Sequence, residues 1–113
     1  MPDPITWSDF RKVDVRVGRV ERVEEFPRAR KPAYKLWIDF GDELGVKKTS
    51  AQLTANYGPA DLDGRLVLAV VNFPPRQIAD FMSEVLVLGV PDRDGAVVLL
   101  RPDEEVPVGG RVY

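Results

Sequence analysis

Tyr34, Leu36, Ile38 and Phe40 fall on every second position of YKLWIDFG, with Lys35, Trp37 and Asp39 between them. A period of two sends the apolar set to one face of a strand and the polar set to the other. The same pattern recurs in short pieces along the chain. In VDVRVGRVERVEEF, Val13, Val15 and Val17 are in phase and the valines then shift to Val20 and Val23, with Gly18 at the shift. A glycine at a change of face predicts a bulge in a long, bent strand. LGVKKTSAQ predicts a weaker strand after the turn GDE. RLVLAVVNF, EVLVLGV and GAVVLL predict three more, the last two joined by the hairpin loop PDRDG. TWSDFRKV predicts a short helix capped by Thr6, with Asp9 in a capping-box position. NYGPADLDG is turn-rich, with room for a helical turn near Ala60–Leu62, and RPDEEVPVGGRVY reads as an extended tail.

About five short strands between Gly and Pro turns, with little helix, predict an all-β protein. The long bent first strand favours a five-stranded OB-fold Greek-key β-barrel with a short N-terminal helix and an extended C-terminal segment. A sandwich is the competing architecture. The 113 residues are expected to form one domain, residues 1–113. Leu66–Val71 is apolar on both faces and Val85–Val90 nearly so. A barrel interior takes one face of each strand. The other face is therefore expected to meet a second copy of the chain in a homodimer.

The chain has no Cys and no His. That excludes disulfides, thiolate nucleophiles, histidine general bases and ordinary zinc sites. There is no P-loop, no dinucleotide fingerprint and no nucleophile–base pair. Asp103, Glu104 and Glu105 lie between Pro102 and Pro107 without the spacing of a ligand set. The expectation is a binding protein, with no catalytic residues, metal or cofactor. The longest apolar runs, about six residues, are far too short for a membrane-spanning helix. Nothing resembles a signal peptide, so a cytoplasmic protein without membrane insertion is expected.

The net charge of −2 hides an asymmetry. FPRARKPAYK carries four cations, Arg28, Arg30, Lys31 and Lys35, and no anion. Such a cluster suits a phosphate track or acidic stretches of a polypeptide, and equally a solvated loop. Tyr34 and Trp37 are candidate stacking platforms for bases, or core and interface aromatics. In KKTSAQLT, Lys47, Lys48, Ser50 and Gln52 are expected near the barrel mouth. They suit hydrogen bonds to a peptide backbone or a ribose, or ordinary edge-strand polarity.

NFPPRQIADFMSEVL, Asn72–Leu86, separates two apolar runs, and its paired prolines are incompatible with a central strand. Yet it holds Phe73, Pro74, Pro75, Ile78, Phe81 and Met82. Six apolar residues in one connector exceed what plugging a barrel end needs. They are read as the wall of a groove for unfolded polypeptide, because Met and aromatic side chains accept many shapes.

VDVRVGRVERVEEFP, KTSAQLT and LAVVNFPPRQIADFMSEVLVLG together resemble the tRNA-binding-domain family of OB-fold modules. FPRARKPAYKLWIDFG, SAQLT and VVLLRPDEEVPVGGRVY are similar to its CsaA-type branch of export-related chaperones. The resemblance runs from about Phe10 to Tyr113. It implies a homodimer that binds unfolded or export-destined polypeptides, with kinship to modules that bind tRNA. It adds Asn72, Arg76 and Ser83 to the candidate nucleic-acid contacts. Where the family pattern has Ser-x-Gly-Met, this chain has Ser83, Glu84, Val85 and Leu86. The lost glycine and the added anion weigh against close approach of phosphate. Chaperone-like polypeptide binding is therefore the leading expectation, and structure-specific tRNA binding the alternative.

Overall fold

In the computed structural model, which describes residues 2–113, the alternating residues of YKLWIDFG become the interior wall of a barrel. Five strands form one antiparallel sheet. These are β1 (Val15–Glu25), β2 (Tyr34–Asp39), β3 (Val46–Ala51), β4 (Leu66–Val70) and β7 (Leu86–Val87), in the order β3-β2-β1-β4-β7. Leu36, Ile38, Phe40, Val20, Leu62, Val67 and Ala69 meet in the core and exclude solvent completely. The architecture is the nearly closed five-stranded barrel of an OB-fold, as expected.

Two short helices flank the sheet. In α1 (Trp7–Arg11), Thr6 Oγ1 accepts the Asp9 N–H and the Asp9 carboxylate accepts the Thr6 N–H, the predicted capping box. In α2 (Pro59–Leu62), Pro59 opens the turn and Leu62 drops into the core. Two small hairpins complete the fold, β5 (Arg76–Ile78) with β6 (Phe81–Ser83), and β8 (Gly89–Pro91) with β9 (Val97–Leu99). No helix among the described residues is long and apolar enough to cross a membrane.

β1 serves two partners. Val15–Arg19 pairs with β4 and Arg19–Glu25 with β2. The bulge falls between Val20 and Arg22, not at Gly18. Gly18 has a different task. A Cβ there would press on Ile38 Cγ2 and lie 2.7 Å from Phe40 Cε1, so only glycine lets β1 cross this closely. Gly18 and Val20 face inward, and the extra residue at Glu21 returns Val23 to the core side. Val15 and Val17 face the other way, and they too are buried.

That second buried face alters the argument for a partner. Val15, Val17, Leu66 and Val70 are shielded within one chain, with Gly109–Val112 of the tail hydrogen-bonded along Val15 and Val17. Apolar residues left open include Val90, Val98 and Leu100 on and just after the β8–β9 hairpin, along with Ile5, Trp7, Val13, Val46, Phe73, Met82, Leu86 and Tyr113.

Candidate functional site

The barrel closes at β3 through the Thr49 hydroxyl and a reciprocal pair of bonds between Lys48 and Glu84. Thr49 sits on the inward register of β3 and is almost wholly buried. Its Oγ1 donates to the Val85 carbonyl at 2.7 Å and lies 2.8 Å from Ser83 Oγ. One residue earlier, the Glu84 N–H donates to the Lys48 carbonyl, and the Lys48 N–H donates to the Glu84 carboxylate at 3.0 Å. Glu84 is therefore a strap across the closure rather than an anion facing outward. Val85, in the position where the family pattern has glycine, turns into the main core.

Beside this seam lies a groove of about 1080 Å³. The Ala29–Ala33 loop forms one wall and the end of β3 the floor. Phe73, Pro74 and the β5–β6 hairpin form the opposite wall, and Leu86 and Val97 close the far end. Among the expected contacts, Phe73, Pro74, Ile78, Arg30, Lys31, Arg76 and Ser83 line it, with Ser50 and Gln52. Phe73 is 52% exposed and Leu86 49%, and both lie in the lining of this one groove. Arg30, Lys31 and Arg76 form no ion pair among the described residues. The groove is largely apolar, and its charged lining residues are the unpaired cations Arg30, Lys31 and Arg76 and one carboxylate, Glu84, which the Lys48 N–H holds.

The remaining expected residues are elsewhere. Phe81 is only 6% exposed. It packs edge-on against Phe26 and Trp37, with centroids 5.6 and 5.9 Å away, in a second small core with Ala33. It anchors the hairpin and forms no part of the groove wall. Met82, its neighbour on the strand, points outward and is exposed, but away from the groove, which Pro75 also does not line.

Lys35 and Lys48 lay their ammonium groups over the Phe81 ring at 5.1 and 5.2 Å, and Lys35 also covers Phe26. Trp37 lies beneath the Arg22 guanidinium, 4.6 Å from the ring centroid, so one of its faces is already stacked. Tyr34 is buried and donates its hydroxyl to the Tyr57 carbonyl at 2.8 Å, so it is no platform for bases. Arg28 pairs with Asp80 at 3.3 Å, between the basic loop and the hairpin tip.

Asn72 is spent within the chain. Its Nδ2 donates to the Lys12 carbonyl at 2.7 Å and its Oδ1 accepts the Asp14 N–H at 3.0 Å. It ties the exit of β4 to the entry of β1. The Asp14 carboxylate in turn accepts from Arg16 at 2.7 Å, and this hydrogen bond raises the Arg16 pKa further above its ordinary value.

Sequence reasoning missed Thr49, Leu53, Leu86 and Val97. The first two had a signal, because Thr49, Ala51 and Leu53 continue the inward register of β3. Leu86 had one too, as a large apolar side chain at the end of the Asn72–Leu86 connector, whereas Val97 had none, since it reaches the groove only through the fold.

Residues 15–111 match the family described as "Putative tRNA binding domain". Two solved structures cover the whole fold. The CsaA chaperone protein of Picrophilus torridus is 53% identical, with a TM-score of 0.90 over 97% of this chain and 100% of that one. The chaperone CsaA of Bacillus anthracis is 50% identical, with a TM-score of 0.91 over 98% of this chain and 100% of that one. The methionine–tRNA ligase of Archaeoglobus fulgidus is 36% identical over 110 residues. The chain spans only 16% of that protein's length.

Proposed function

The chain belongs to the tRNA-binding-domain family, and we propose that this member is a chaperone-type protein that holds unfolded or export-destined polypeptide in the groove beside β3. The observation that carries this reading is the groove itself, in which large apolar side chains stay exposed under a rim of unpaired cations. Exposed apolar surface of this kind binds apolar surface without demanding a sequence. The likeness to CsaA chaperones over nearly the whole chain supports it. The reading includes no chemical step. Release rests on modest affinity and fast exchange. It also includes a cytoplasmic site of action and pairing of two copies, with Val90, Val98 and Leu100 as the apolar patch between them.

A second reading is favoured by the basic loop. Arg28, Arg30 and Lys31, with Arg76 across the groove, suit the phosphates of tRNA. Anisotropy titrations separate the two. One series uses a reduced, carboxymethylated and hence permanently unfolded polypeptide, the other a labelled tRNA, each from low to physiological salt. Polypeptide binding that survives physiological salt is expected, because apolar burial is not screened. Saturable binding of tRNA alone, with log affinity falling steeply against log salt, would replace the chaperone reading with the RNA one.

A further inference from the structure

The floor of the groove is a strand edge, and its backbone groups are open. Lys48 exchanges hydrogen bonds with Glu84 on the side of β3 away from β2. Antiparallel strands alternate their backbone groups between two neighbours. Ser50, two residues on, therefore turns its N–H and C=O the same way, and the Gln52 N–H, trans to the Ala51 carbonyl at the end of β3, follows, toward the groove that both residues line.

Few of those groups have partners. The Ser50 N–H reaches Ser83 Oγ at 3.3 Å. The Ser50 carbonyl is 3.2 Å from Thr49 Oγ1, but that hydroxyl has one proton, and the Val85 carbonyl is nearer at 2.7 Å. The Gln52 N–H donates to no group among the described residues. Among the described residues no strand continues along this edge, and β6 meets β3 through the Ser83 and Glu84 bonds.

The geometry points to β-strand addition: a bound polypeptide lies extended in the groove and pairs with β3 at Ser50–Gln52. The free Ser50 C=O and Gln52 N–H flank Ala51. In a parallel pair, one residue of the added strand donates its N–H to the first and accepts from the second. Alternate side chains of that strand then face the apolar walls at Phe73 and Leu86. The intervening ones face the rim, where Arg30, Lys31 and Arg76 lack anionic partners. The matching occupant is a segment that alternates apolar and acidic residues. This inference rests on the groove being the polypeptide site, and adds the conformation and charge pattern that it selects.

The test uses the full chain and a fluorescein-labelled heptapeptide alternating leucine and aspartate. A set of single N-methylated versions removes one backbone N–H at a time. A loss of about fivefold or more at one position, with tolerance on both sides of it, is expected for one backbone hydrogen bond. A leucine–lysine heptapeptide is expected to bind more weakly than the leucine–aspartate one. Equal binding of all N-methylated forms would overturn strand addition and leave the groove reading intact. The same holds if the unfolded polypeptide binds while the alternating peptide does not. If neither binds, or tRNA alone occupies the groove, both inferences fall.

Discussion

Thr49 shows how much one side chain decides here. Its hydroxyl closes the barrel by bonding the Val85 carbonyl while its methyl packs in the core. Thr49→Val keeps the shape and leaves that carbonyl only the long bond from Ser83 Oγ at 3.5 Å. A loss of about 1–3 kcal/mol is predicted, read as a lower urea midpoint at unchanged slope. Gly18→Ala is predicted to lose about 1–3 kcal/mol by forcing Ile38 and Phe40 apart, checked by the same titration. The sequence flagged Gly18 as special but for another reason. A bulge and a close crossing both demand glycine, and only the partner strand distinguishes them. Acid stability has a local source in Asp92. The Asn56 amide and then the Ala96 N–H hold its carboxyl below the ordinary carboxylate range. A depressed folded pKa contributes stability that is complete above the ordinary carboxylate pKa and is lost as pH falls through the folded value. Asp92→Ala is therefore predicted to lower stability at neutral pH and to shallow its decline below about pH 4, measured by thermal melts across acid pH.

At the scale of elements, the β5–β6 hairpin explains why a connector should be so apolar. Of its three large apolar residues, Phe81 is buried, Ile78 is half-buried and Met82 is exposed. Phe81 is driven into Phe26 and Trp37, so the hairpin is pinned to the outside of β2. Phe81→Ala is predicted to lose about 3 kcal/mol and to loosen the groove wall, whereas Met82→Ala stays within about 0.5 kcal/mol. Equal effects of the two in chemical denaturation would contradict this division. The sequence showed that the connector was apolar but not that it was a hairpin. Its tip puts Ala79 at φ 54°, a left-handed conformation that turn rules assign to Gly, Asn or Asp. The regular strands, by contrast, were legible, β2 because its period of two survives and β4 because it is a continuous apolar run. The cations of FPRARKPAYK could be seen as a cluster, but their division could not. Arg28 pairs across to Asp80, Lys35 covers aromatic rings, and Arg30 and Lys31 are left on the groove rim.

The whole molecule is a barrel whose open edge, apolar walls and cationic rim converge on one face. The two-faced apolar strand at Leu66–Val71, which suggested a second copy, is covered by the chain itself. The apolar patch proposed for pairing is on the β8–β9 hairpin, where Val90 and Val98 are register partners and remain exposed with Leu100. Val98→Asp is predicted to convert a dimer to a monomer in sedimentation without loss of fold, and an unchanged dimer would exclude this patch. The central claim is that the groove holds unfolded polypeptide through Phe73 and Leu86. The direct measurement is a binding isotherm of the permanently unfolded polypeptide with the wild-type chain, Phe73→Ala and Leu86→Ala, alongside a thermal melt of each. Both residues are half exposed and carry little of the core, so the melts are expected to coincide. The account predicts a loss of affinity of about tenfold for each variant. Unchanged affinity in folded variants would contradict it.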